Sequence, residues 1–86
     1  MSSVEEVKVH VAASVEQAGR AVVGIQQVTD QLDEALNRLR LTALGSAHPS
    51  AITAIAQLEQ AKDRLDEAVT LIRSASDSAE TYRSVV

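Results

Sequence analysis

The sequence predicts an all-α fold: an antiparallel two-helix hairpin with helices over about residues 3–44 and 49–84, expected to dimerise into a four-helix bundle. Three observations predict it. Apolar residues recur at every seventh position through both halves of the chain. One short stretch, residues 45–50, interrupts them with a glycine and the only proline. A row of alanines in the second half leaves room for helices to approach closely.

The first helix starts from a capping signal. Ser2 and Ser3 are each followed three residues later by Glu5 and Glu6, the spacing of a capping box. From there a heptad row runs Val4, Val11, Ala18, Ile25, Leu32, Leu39. A second, three residues on, runs Val7, Ser14, Ala21, Val28, Ala35, Thr42, and a third runs Lys8, Val15, Val22, Thr29, Leu36, Ala43. Together they predict a stripe three positions wide, broader than a strict coiled-coil seam.

The break reads as a turn. Gly45 suits the position just past a helix end, where a left-handed backbone costs least. Pro49 suits the first turn of the next helix, where its missing N–H is no loss, and His48 or Ser50 is placed to cap it. The second helix carries Ala51, Leu58, Leu65, Ile72, Ala79 and Val86 in one row, Ala54, Ala61, Ala68, Ala75 and Tyr82 in the next, and Ile55, Lys62, Val69, Ser76 and Arg83 in the third. Helices of these lengths are ~50–60 Å long at 1.5 Å per residue.

So short a connection makes antiparallel packing the direct solution. With the turn centred near Ala47, facing residues have numbers summing to about 94. That register pairs Leu39 with Ile55, Leu36 with Leu58, Val28 with Leu65, Ile25 with Val69 and Val22 with Ile72. It also sets Asp30 against Arg64 and Asp33 against Lys62. Residues 30–40 and 63–73 resemble one another, with six of eleven positions identical. The similarity fits either an ancestral duplication or two amphipathic segments that both place acids before bases.

Composition narrows the function. At 86 residues the chain is a single domain, 1–86, with a small core. Aromatics are one Tyr, so Val, Leu, Ile and Ala must build that core. A net charge of −4, with basic residues scattered among acids, argues against nucleic acid. No apolar run approaches the ~20 residues of a membrane span, and the first residues carry glutamates where a signal peptide carries positive charge. The expected location is cytoplasmic, with export open only to a route that needs no signal peptide.

No catalytic, cofactor or metal site is read from the residues. The acids Asp30, Asp33, Glu34, Asp63, Asp66 and Glu67 are the nearest thing to a constellation. Bundles that hold two metals need inward Glu-x-x-His motifs, and no His lies near. A solvated acidic face is the simpler reading. His10 and His48 lie ~57 Å apart by helical rise and cannot share an ion within one chain. Nor is there a nucleophile with its base, a phosphate-cradling glycine loop, or a concave interior for a small-molecule substrate.

Gly19 and Gly24 are more informative, since each costs ~1 kcal/mol against Ala within a helix. With Ala12, Ala13 and Val23 they form the expected partner-binding face, either a smooth surface for another helix or a tolerated local weakness. Leu41, Leu44, Ile52 and Leu71 also fall outside the stripe, which favours self-association. The expectation is a non-catalytic protein–protein interaction module: a homodimer or a helical partner of another protein. The alternative is a structural or regulatory adaptor docking one cognate partner, such as a toxin or enzyme.

In length, lack of Cys, alanine content, two long helices and a mid-chain glycine turn, the chain resembles the WXG-motif (early-secreted-antigen-like) proteins of type VII secretion in actinobacteria and related bacteria. The resemblance implies hairpins that dimerise into four-helix bundles and leave the cell folded. Of that family's Trp-x-Gly turn, Ala43-Leu44-Gly45 keeps the glycine. Of its C-terminal signal, a Tyr followed four residues later by an acid, the chain keeps Tyr82 and ends in Val86.

Overall fold

The computed structural model describes residues 3–86. Two helices account for nearly all of them: α1, Val4–Thr42, and α2, Pro49–Val85. They pack against each other as an antiparallel hairpin 63 × 18 × 15 Å in extent.

Both helix starts are capped by side chains. Ser3 is extended, and its hydroxyl accepts a 3.1 Å bond from the Glu6 amide, satisfying one of the donors a helix start leaves free. The equivalent expectation for Ser2 lies outside the described residues. At α2 the cap is His48, whose Nδ1 accepts from the Ser50 amide at 3.1 Å, with Pro49 opening the helix behind it.

The first helix ends at Thr42, two residues short of the expected boundary at 44. The physical reason is a tight turn: the Ser46 amide donates to the Ala43 carbonyl at 2.8 Å, which pulls Ala43 and Leu44 out of the helix. Gly45 supplies the positive φ, +80°, that this turn demands and that a side chain would oppose.

The packing seam is narrower than expected. In α1 the row Val11, Ala18, Ile25, Leu32, Leu39 and the row Lys8, Val15, Val22, Thr29, Leu36, Ala43 are buried or half-buried. The row that begins at Val7 is not part of it: Ser14, Ala21, Val28, Ala35 and Thr42 are all exposed. On α1 the single neighbour, α2, covers two rows; on α2, Ala54, Ala61 and Ala68 of a third row are half-buried as well, while Ala75 and Tyr82 are exposed. Val28 is accordingly 44% exposed, and Thr29, one residue on, occupies the seam position expected of it opposite Leu65.

The register is otherwise the expected one. Shared grooves bring Val22 beside Ile72 and Val15 close to Ala79, numbers that sum to about 94. Asp33 and Lys62 form an ion pair across the helices. The second expected pair does not form: Arg64 turns back to Glu67 on its own helix at 3.1 Å. The rotation of α2 places Arg64 on the far side from Asp30, which instead borders a groove with Asp66 and Arg73. Arg40 and Glu59 provide the other cross-helix pair.

The core is thin. Among the described residues only Val22 and Leu36 are buried, at 8% and 1% exposure. Leucines concentrate near the turn, at Leu32, Leu36, Leu39, Leu58 and Leu65, whereas Ala18, Ser76 and Ala79 fill the seam towards the open end. Leu36→Ala is therefore expected to cost about 2–3 kcal/mol, the lower part of the range for buried leucines because the surroundings can close in. Val4→Ala, at a 53% exposed position on the open end, is expected to cost well under half of that. Urea titration followed by far-UV circular dichroism checks both.

Candidate functional site

A hairpin this narrow has no interior. What it offers a ligand is its two long sides, and these differ in chemistry. At about 100° per residue, each helix carries one row immediately beside the seam on either side.

On the first side run Glu5, Ala12, Gly19, Gln26, Asp33 and Arg40 of α1, with Ile52, Glu59, Asp66, Arg73 and Glu80 of α2. The Arg40–Glu59 pair joins these two rows, and a shallow groove bounded by Gln26, Asp30, Asp66 and Arg73 lies between them. Seven of these eleven residues are charged. On the second side run Val7, Ser14, Ala21, Val28, Ala35 and Thr42, with Ala54, Ala61, Ala68, Ala75 and Tyr82. Ser14 and Ala75 meet in one groove with Ala18 and Ile72, which places both rows on the same side. None of these eleven is charged.

The uncharged side also carries exposed bulk. Val28 is 44% exposed, Tyr82 50%, and Leu71 on its outer shoulder 70%. Its alanines hold the surface low, so an approaching helix could come close to the backbone. On the charged side, Asp33, Arg40, Glu59 and Glu80 are paired within the chain. The pairs of Asp33, Arg40 and Glu59 span the seam, and an apolar helix laid there would strip water from them at a cost exceeding any gain.

The five residues expected to form the partner face do not share one surface. Ala12 is half-buried and Gly19 exposed, both in the charged-side row, and Gly19 borders a groove with Arg73 and Asp77. Val23, 53% exposed, sits on the outer shoulder of that same side. Ala13 is exposed on the back of α1. Gly24 lies about 140° around the helix from Gly19, on the shoulder of the uncharged side. A Cβ added at Gly19 or Gly24 would meet nothing within 4 Å. Packing inside the hairpin therefore gives no reason for either glycine.

The sequence alone does not mark the uncharged rows as a site, because its periodicity places the Val7 row in the hairpin's own core. The signal that could have found them is the width of the stripe. Three apolar rows on a helix call for two neighbours, and one turn supplies one.

Among the described residues no group of three or more His, Cys, Asp or Glu is gathered as metal ligands would be. No helix is long and apolar enough to cross a membrane. Lys62 sits above its ordinary value of 10.5, chiefly because its ammonium donates to the Asp33 carboxylate. Searches of family models, curated proteins and solved structures find no match for this chain.

Because the lysine value is raised by folding, the Asp33–Lys62 contribution is complete at neutral pH. It is lost as pH rises through the folded-state value, above 10.5. Asp33→Asn is expected to lower stability at pH 7 and to converge with the parent protein as Lys62 deprotonates. Thermal melts between pH 7 and 11.5 check the convergence.

Proposed function

We propose that the protein is a non-catalytic helical interaction module, whose uncharged side docks helices of another chain to complete a four-helix bundle. The observation that carries this reading is the asymmetry of the two sides: seven charged residues of eleven on one, none of eleven on the other. The thin core adds to it, since a hairpin with two buried side chains among the described residues leaves much of its apolar surface to be covered elsewhere. A second copy is the simplest partner, and an adaptor role towards one cognate protein uses the same side.

Site-specific photocrosslinking in cells that naturally produce the protein tests this. Benzoylphenylalanine replacing Ala21 or Ala75 is expected to give protein adducts. The same group replacing Gln26 or Asp77, on the charged side, is expected to give at least five-fold fewer. Adducts chiefly from the charged side, or none from either, overturn the reading.

A narrower reading places the module beside type VII export. What favours it is shape: two helices of nearly equal length joined at a glycine turn, as the WXG-motif resemblance implies. Co-expression with a type VII system is then expected to release the folded protein into the medium, and to stop doing so when the secretion ATPase is inactivated. Retention in cells with an active system overturns it.

A further inference from the structure

We infer that the hairpin has two halves held with unequal strength: the turn half, residues 31–63, is locked, and the open half beyond it parts along its seam while each arm stays helical. This concerns the chain alone and stands whether or not a partner covers the uncharged side.

The similarity of residues 30–40 to residues 63–73 supplies a comparison within the molecule. The two stretches are offset by 33 positions (63 less 30) and lie on antiparallel helices. A two-fold rotation between the helices therefore carries Asp33 to Asp66 and Arg40 to Arg73, the same ions at the same spacing. It carries Lys62 to Thr29 and Glu59 to Gln26. Asp33 and Arg40 are held across the seam by Lys62 and Glu59. Asp66 and Arg73 share one groove with the neutral Thr29 and Gln26 instead. The Thr29 hydroxyl is turned to its own helix, where it donates to the Ile25 carbonyl at 3.0 Å. Among the described residues the remaining ion pairs, Glu16–Arg20, Arg64–Glu67 and Glu80–Arg83, each lie within one helix. Every ion pair that crosses the seam among these residues thus falls in the turn half.

The apolar seam weakens in the same direction. Under the same rotation Leu36, 1% exposed, corresponds to Val69, and Ile55 corresponds to Val22. Further out the seam is filled by Ala18, Ser76 and Ala79, and its rows reach Lys8 and Arg83, both half-buried. Parting the open half therefore brings less apolar area into water than parting the turn half, and it breaks no ion pair across the seam. Each arm continues a helix already nucleated in the turn half, so the arms separate without melting. The result is a clamp, rigid at the turn and adjustable in span at the other end.

Distances measured across the seam in each half test the inference on the full chain. The chain has no cysteine, so paired cysteine variants carry spin labels at chosen sites alone. Asn37→Cys with Gln57→Cys spans the turn half. Glu16→Cys with Ser78→Cys spans the open half at the same heptad positions, and all four sites are exposed. Double electron–electron resonance is read with labelled chain diluted in unlabelled chain, so that only distances within one molecule count. The open-half pair is expected to give a distribution at least ~2-fold wider than the turn-half pair, with a second, longer population. Gln26→Glu with Thr29→Lys gives the open half the two charges it lacks. That double change is expected to reduce the longer population ~5-fold, the contribution of one well-formed exposed pair, and to leave the turn half unchanged. Glu59→Gln with Lys62→Thr is expected to widen the turn-half distribution, and it carries the test if the first double variant does not fold.

Equal, narrow distributions in both halves overturn the inference. So does a longer population that the added charges do not reduce, or a turn half that stays narrow without its two pairs. Label spectra at 16 and 78 with the motional freedom of an unfolded chain overturn the parting of intact arms.

Discussion

A helix can bury only as much of its circumference as it has neighbours, and the rest of this structure depends on that limit. The turn at 43–46 gives each helix one neighbour. On α1 that neighbour covers two heptad rows, and α1 has three rows of apolar or small residues. The unburied row is the consequence. It also explains why Val22 and Leu36 alone reach burial: in a seam two rows wide, nearly every side chain keeps one flank in water.

Within that limit, charge and size divide the labour of specifying the hairpin. The apolar seam supplies the attraction but discriminates weakly between registers, because Ala, Val and Leu can slide past one another by a heptad at modest cost. Asp33–Lys62 and Arg40–Glu59 oppose such a slide, since a heptad shift parts both pairs and sets Asp33 against Ile55 or Val69. Exposed pairs contribute little stability, and here their use is to fix which residues meet. Lys62 shows the arrangement most plainly. It occupies a seam position, where its stem lies among apolar side chains and its ammonium reaches out to Asp33.

Much of this was legible in the sequence, for identifiable reasons. Gly45 and Pro49 are residues whose backbone chemistry fixes a turn almost irrespective of context, and the heptad rows report which residues can face a neighbour. The antiparallel register followed from the length of the connection. What did not follow was the rotation of each helix about its own axis. Periodicity shows that the Val7, Lys8 and Val11 rows adjoin one another, and leaves open which two the neighbour will cover. That single unknown decides that Val28 lies outside the seam and that Arg64 faces away from Asp30, and it sets Ala12, Ala13, Gly19, Val23 and Gly24 over two sides and the back of α1.

The rotation that does occur is itself explained by the surplus row. Turning α1 so that the Val7 and Val11 rows faced α2 would have buried Val28 and Ala21, and exposed Val22, Leu36 and Thr29 in exchange. The row that is buried contains Leu36, the one side chain fully removed from water, and the row that is left carries alanines. A leucine loses roughly 1.5–3 kcal/mol when left in water, and an alanine far less. On α1 the rotation therefore keeps Val22 and Leu36 for the seam and leaves Ser14, Ala21 and Ala35 outward, with Val28 the larger exception. A surface chosen this way is low and free of charge, and its exposure in the lone chain costs little. Those same properties suit it to receive helices of another chain, because close backbone approach needs small residues and dry contact needs the absence of ions. Stability and docking are then set by one choice of rotation, and a substitution that turned α1 by a single row would change both together.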